Sequence, residues 1–184
     1  MIEASRYILL GSWVLFSLYW FLNWYRVKPT VKRQSRSTRL TFTLPVIVGL
    51  VLLIFHRSTR LLPETSVLAL GASLISLFGV AMTLWARYTL ADNWSADITF
   101  KEGHELIQRG PYRFVRHPIY TGILSMILAV AISFGHLRGF VGTALITAGF
   151  WYKLSLEEEL MTRHFPDSYP SYRARVKALI PWLL

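Results

Sequence analysis

Apolar residues run along this chain in five long blocks, separated by short polar stretches. The first extends from Tyr7 to Tyr25 and the second from Leu40 to Phe55. The third covers Thr65 to about Trp85, the fourth Ile119 to Phe134, and the fifth Gly139 to about Leu156. A helix needs about 20 apolar residues to cross a bilayer's hydrocarbon core, with about 17 as the lower limit. The second and fourth blocks are marginal by that measure, but their tight flanking charges favour spans over soluble core helices. The pattern therefore predicts an all-α integral membrane protein with about five transmembrane helices. Beyond the fifth block, Phe165-Pro166-Asp167-Ser168-Tyr169-Pro170 reads as a turn, and Pro170 suits a first helical turn. Tyr169, Tyr172, Val176 and Leu179 then recur at helical spacing until Pro181. A short amphipathic helix is expected there, lying on the membrane face or capping a pocket.

Composition agrees with the pattern. Of 184 residues, 53% are apolar, and seven are tryptophan, which is a membrane protein's profile. The length suits one domain, 1–184. With no cysteine, disulfides, thiolate metal sites and cysteine nucleophiles are excluded. The first block is too long for a signal peptide, and no small-residue cleavage site follows it, so no cleavable leader is expected. A net charge of +10 raises the question of nucleic acid. The cations sit mostly between apolar blocks, however, where membrane proteins keep their topological charge. No nucleic-acid partner is expected.

Those cations also set an orientation. Arg26, Lys28, Lys32, Arg33, Arg36 and Arg39 fall in one loop with no acid, which predicts a cytoplasmic loop. Five spans then place the N-terminus outside and the C-terminus inside. Only Arg6, Arg57, Arg60 and Arg138 would be external. Three polar pieces share the cytoplasmic face: the basic loop, Arg87 to His117, and Glu157 to Leu184. A reactive centre is expected at that face.

Two of these pieces carry candidate chemistry. In Gly110-Pro111-Tyr112-Arg113-Phe114-Val115-Arg116-His117-Pro118-Ile119-Tyr120-Thr121-Gly122, a Gly-Pro turn leads to a helix started by Pro118. Free amides at that start, with Arg113 and Arg116, suit a carboxylate or phosphate. Taken alone, anchoring at lipid headgroups is the commoner use of interfacial arginines. The second piece is Glu157-Glu158-Glu159. On a helix continuing the fifth block, Glu158 shares a stripe with Trp151, Leu154, Met161 and Phe165, so it is a buried acid that needs a partner. A functional role and a structural ion pair are equally open for it. Glu159 falls on the polar side, four residues before Arg163, as a surface pair. Glu157 is intermediate. On the last helix Arg173, Arg175 and Lys177 suit membrane-surface contacts, and Arg175 is expected to turn inward. The histidines His104 and His117 show no metal-ligand spacing, so no metal is expected.

His104-Glu105-Leu106, Gly110-Pro111-Tyr112 and Arg116-His117-Pro118-Ile119-Tyr120-Thr121-Gly122 resemble the signature of the isoprenylcysteine carboxyl methyltransferase family. Glu157-Glu158, Phe165, Tyr169, Tyr172 and Arg175-Val176 match the spacing of that family's C-terminal block, and phospholipid N-methyltransferases share the paired acids. The likeness covers about residues 87 to 181. The apolar blocks place three N-terminal spans and the basic loop 26–39 in 1–86, which match the family only as generic hydrophobic helices, and the likeness implies a catalytic core in 87–184 and S-adenosylmethionine as methyl donor. It further implies a cofactor pocket formed by His104, Leu106, Gly110, Tyr112, Arg116, His117, Pro118, Tyr120, Glu157, Glu158 and Tyr172, closed by the C-terminal helix. A lipophilic acceptor would enter from the bilayer among membrane lipids. Glu158, and less so Glu157, suits the cofactor's ammonium, the arginines its carboxylate, and the tyrosines its ring or sulfonium. Arg175, with Glu158, is the expected catalytic group, holding an acceptor carboxylate. Such a carboxylate has a pKa of about 3.5 and needs no base, which favours O-methylation. An amine acceptor, a sterol-type reductase using NADPH, and a non-enzymatic membrane subunit are the competing readings. Eukaryotic members carry further N-terminal spans, so a compact prokaryotic type in an inner or plasma membrane is expected, and a prenylated protein is a doubtful acceptor.

Overall fold

The computed structural model describes residues 1–23, 36–55, 58–91 and 105–183. Among them the secondary structure is helical, apart from two isolated backbone bridges, Arg60 with His136 and Val115 with Lys177. Five long helices follow the five apolar blocks. They are α1 (Ile2–Leu22), α2 (Arg36–Ile54), α3 (Ser66–Leu90), α4 (Pro118–Phe134) and α5 (Leu137–His164), and a short α6 (Tyr169–Arg175) follows. By length and apolarity, α1 and α3 alone suffice to cross a membrane, while α4 and the Thr38–Ile54 part of α2 are apolar but shorter.

Local chemistry sets the helix ends. The Thr65 hydroxyl accepts from the Leu68 amide at 3.2 Å and starts α3. Pro118 starts α4, and Gly135, with φ of 67°, ends it in the left-handed region. That glycine's carbonyl accepts from Leu61 at 2.7 Å, which ties the α2–α3 loop to the α4–α5 turn. At the same end Glu64 receives Arg60 at 2.8 Å and Arg6 at 3.1 Å.

Close packing comes from small residues. Gly79 of α3 and Gly122 of α4 lie back to back, and a Cβ on Gly79 would sit 2.6 Å from the Gly122 carbonyl. Gly49 of α2 and Gly142 of α5 repeat the arrangement, with a Cβ on Gly49 2.5 Å from the Gly142 carbonyl. Contacts this close between backbones are how helices associate where lipid removes the hydrophobic drive. Leu53, Ile127, Ala131 and Ile146 pack between the two pairs. Helix α1 runs parallel to α3: Ser5 donates to the Ala69 carbonyl at 2.8 Å, and Arg87 donates to the Asn23 carbonyl at 3.3 Å.

The apolar surface faces outward. Leu70, Leu74, Leu77 and Phe78 of α3 are exposed, as are Leu10, Val14, Leu18 and Phe21 of α1. In contrast, the buried side of α3 is small and polar: Ala72, Ser73, Ser76 and Thr83.

The C-terminal piece departs from expectation. Helix α6 stops at Arg175 instead of running towards Pro181. Residues 176–179 are drawn out beside the segment before α4. The Arg116 amide donates to the Lys177 carbonyl at 2.8 Å and the His117 amide to the Ala178 carbonyl at 3.0 Å. Carbonyls taken by a neighbouring strand cannot serve the next helical turn.

Candidate functional site

Gly110, with φ of 61°, opens a 3₁₀ turn over Gly110–Arg113. The position has no room for a side chain, because a Cβ would lie 2.8 Å from the Thr89 hydroxyl of α3. The turn buries Pro111 and Tyr112 and delivers Arg116 and His117 to the start of α4. Glu157 and Glu158 reach the same point from α5, nearly six turns from that helix's own start.

At the centre is Glu158, 4% exposed. Its Oε1 accepts from Arg116 Nε at 2.7 Å and from Arg116 Nη2 at 2.5 Å, and lies 3.2 Å from His117 Nε2. The other oxygen, Oε2, is 3.3 Å from Arg173 Nε. Burial pushes this carboxyl's pKa up, but hydrogen bonds and charge from His117 and Arg116 outweigh it and hold the pKa below the ordinary value. The acid is therefore ionised and saturated. Arg116 also donates through Nη1 to the Val176 and Arg173 carbonyls, so one guanidinium binds α5 to the C-terminal segment.

Glu157 differs. Its Oε1 accepts from the Tyr120 hydroxyl at 2.5 Å, and its Oε2 is 3.6 Å from His117 Nδ1. The side chain keeps 24% of its surface exposed, against 6% for Glu158. No guanidinium is paired with it among the described residues, so it is the less compensated of the two acids. His117 thus has a carboxylate near each ring nitrogen, and it stacks on Tyr120 with centroids 5.7 Å apart.

Three buried phenols complete the wall. Tyr172 donates to the Tyr112 carbonyl at 2.6 Å, joining α6 to the 3₁₀ turn. Burial raises the pKa values of Tyr112, Tyr169 and Tyr172, so all three stay protonated near neutrality. The Thr121 hydroxyl donates to the Leu179 carbonyl at 2.7 Å, a third tie to the C-terminal segment.

Gly110, Tyr112, Arg116, His117, Pro118, Tyr120, Glu157, Glu158 and Tyr172 are thus brought to one place. Leu106 is half-buried in the chain leading to Gly110. His104 lies outside the described residues. Three expectations need correction. Arg175 does not turn inward: it is exposed, donating to the Ser171 carbonyl and, at 3.4 Å, to Gln108. The helix that would have aimed it stops at that residue. Of the amides expected to be free, that of Thr121 is bonded to the His117 carbonyl at 3.0 Å. Arg173, expected at the membrane surface, instead reaches Glu158. Its signal was present, since Arg173 follows Tyr169 by four residues and shares that buried tyrosine's face. Glu159 pairs with Arg163 on the surface, as its spacing predicts. No group of three or more His, Asp or Glu arranged to hold a metal occurs among the described residues.

Comparison with known proteins adds an independent line. The family model for phospholipid methyltransferase matches residues 66–168, from the start of α3 through α5. Methanethiol S-methyltransferase 1 of Bradyrhizobium diazoefficiens is 29% identical over 182 residues, covering 98% of this chain and 55% of that protein. Methanethiol S-methyltransferase of Mycobacterium tuberculosis is also 29% identical over 182 residues, covering 98% of this chain and 64% of that protein. The chain thus spans roughly half to two thirds of these relatives' lengths. Protein-S-isoprenylcysteine O-methyltransferase of Schizosaccharomyces pombe is 34% identical over 82 residues, 42% of this chain and 34% of that protein. The match over more than half of the chain, across the segments that hold Arg116, His117, Glu157 and Glu158, establishes that this protein belongs to the phospholipid methyltransferase family.

Proposed function

We propose that this protein is a membrane-embedded methyltransferase that transfers a methyl group from S-adenosylmethionine to a lipophilic acceptor. One observation carries the reading: the family match over 66–168 contains the whole Arg116–His117–Tyr120–Glu157–Glu158 cluster.

All five long helices cross the bilayer in this reading, with the N-terminus outside and the site and C-terminus in the cytoplasm. The outward apolar faces of α1 and α3 and the antiparallel glycine contacts support it. Residues 1–86 supply the first three spans and 87–184 the catalytic core, which the C-terminal segment closes.

The donor set fits the cofactor. Glu157, part-exposed and without a guanidinium partner among the described residues, suits the ammonium better than the saturated Glu158. Tyr120, His117 and Tyr112 offer flat faces for the adenine or sulfonium, with Leu106 and Gly110 alongside and His104 as a further contact. When bound, S-adenosylmethionine supplies a methyl group activated on a sulfonium sulfur. The protein's part is to hold, orient and exclude water.

For the acceptor we favour a lipidic carboxylate, which arrives ionised. Arg175 remains the residue of choice to hold it, because its bond to Gln108 is long and exposed and exchanges cheaply. A thiol is the second reading, favoured by the two methanethiol S-methyltransferases that match 98% of this chain. A thiol with a cysteine-like pKa of about 8.5 is mostly protonated near neutrality. Glu157 with His117 is then the available proton acceptor, a role a carboxylate acceptor would not require. An amine, as in phospholipid N-methylation, would need the same help.

The test uses purified full chain and methyl-labelled S-adenosylmethionine. Methanethiol, an isoprenylcysteine analogue and a membrane extract are offered separately, and products are identified by mass spectrometry. Calorimetry should give micromolar cofactor binding that Glu157→Gln weakens about tenfold. Folded protein that binds NADPH and not S-adenosylmethionine would overturn the reading in favour of a reductase.

A further inference from the structure

Lys153 belongs to none of the motifs described above, yet its ammonium lies against a ring of the site. Nζ is 5.6 Å from the centroid of Tyr120 on α4 and 5.4 Å from that of Phe42 on α2. No other lysine or arginine occurs between Arg138 and Arg163 on α5. A lysine that only anchors a helix lays its stem along apolar surface and sends its ammonium to water. This one is half-buried, with its ammonium held near rings of two neighbouring helices.

Tyr120 is where that charge meets the site. Its hydroxyl donates to Glu157 at 2.5 Å, and its ring stacks on His117 with centroids 5.7 Å apart. Phe150 packs on the same ring at 5.1 Å, which keeps the neighbourhood apolar and the charge poorly screened. Lys153 also precedes Glu157 by four residues on α5, a rise of about 6 Å, so the two share one face of the helix.

We infer that Lys153 is a specificity-determining residue: its fixed charge beside Tyr120 disfavours the sulfonium cofactor and favours the neutral thioether left after methyl transfer. The inference rests on the cofactor reading above, in which Glu157 takes the ammonium. The sulfonium is then a few bonds from Glu157 and close to Lys153. Two unit charges about 8 Å apart, at an effective dielectric of about 40, repel enough to shift an affinity about fivefold. The ring sharpens the conflict, because a second cation drawn to the face of Tyr120 meets an ammonium already beside it. In the transfer, the bond from methyl carbon to sulfur breaks with its electron pair staying on sulfur, and an acceptor lone pair forms the new bond to carbon. Positive charge leaves sulfur as this happens, so the repulsion from Lys153 falls towards the transition state. A repulsion felt more in the ground state than in the transition state speeds the step.

The test titrates purified full chain calorimetrically with S-adenosylmethionine and, separately, with S-adenosylhomocysteine. The ratio of the two dissociation constants is the readout, because a purely structural role for Lys153 moves both together. The wild type should bind the thioether more tightly. Lys153→Met, which keeps the stem and removes the charge, should shrink the ratio about fivefold by tightening the sulfonium ligand. Lys153→Arg should preserve the ratio. Arg138→Met removes an exposed charge about 22 Å away along α5 and should leave the ratio unchanged. Lys153→Gln supplies a second neutral variant, so a folding failure of Lys153→Met leaves the test intact. A ratio that the neutral variants leave unmoved, or one that Lys153→Arg shrinks as far as they do, would overturn the inference and leave the cofactor reading standing. Folded wild type that binds neither ligand would overturn both.

Discussion

Glu158 is the residue whose burial decides most about this site. Its side chain and that of Arg116 are 6% and 8% exposed, so each is tolerable only with the other. Glu158→Gln leaves Arg116 without its counter-charge and should cost about 3 kcal/mol of stability, the usual penalty for stranding one member of a buried pair. Glu159→Gln, which breaks an exposed pair with Arg163, should change stability by less than about 0.5 kcal/mol. Thermal unfolding of both variants in one detergent checks the contrast. The acid limb of stability should report the same residue. Because the folded carboxyl's pKa lies below the ordinary 4.5, its contribution is complete above that value and is lost as pH falls through the lower, folded one. Midpoints measured from pH 7 to pH 3 should fall for the wild type, and Glu158→Gln should lack that component of the fall. The helical stripe through Leu154 made this acid's burial legible in the sequence. Its partners were not, because the sequence does not say where a tail stops being helical. Once α6 ends at Arg175, the face carrying Arg173 meets Glu158 and Arg175 is left on the surface.

At the scale of elements, the apolar blocks located all five long helices, with ends displaced by up to about eight residues. Helix α3 outruns its block because Ala86 and Arg87 are buried beyond Trp85, and a buried arginine does not register as membrane-compatible in hydropathy. The packing partners were less legible. Glycine pairs such as Gly79–Gly122 read as breakers in a sequence and become contact points only when helices meet. Gly122→Ala would push a methyl group into the Thr83 hydroxyl and the Gly79 carbonyl, and should cost about 2 kcal/mol by overpacking. Gly71→Ala, on the same α3 but with nothing within 4 Å of the new methyl, should be neutral or gain up to about 1 kcal/mol of helix propensity. Equal losses in denaturation would mean that the α3–α4 contact is not the tight one described.

For the whole molecule, the reading of five spans predicts that the protein stays with membranes through alkaline carbonate extraction. A reporter fused after Leu183 should score cytoplasmic, and one inserted between Pro63 and Glu64 external. A reporter after Leu183 that scores external would reverse the orientation and put the site on the wrong face for a cytosolic methyl donor. The likeness brought the C-terminal segment to the site, but its extended pairing was not legible in the sequence, because the parallel bridge of Val115 with Lys177 spans more than sixty residues and leaves no periodic trace. That bridge carries a consequence for biosynthesis. In the five-span reading each long helix can enter the bilayer as it leaves the ribosome, but Arg116 lacks its backbone acceptors until residues 173 and 176 have been made. The site is therefore assembled last, and a chain interrupted at α5 would be inserted in the membrane yet inert.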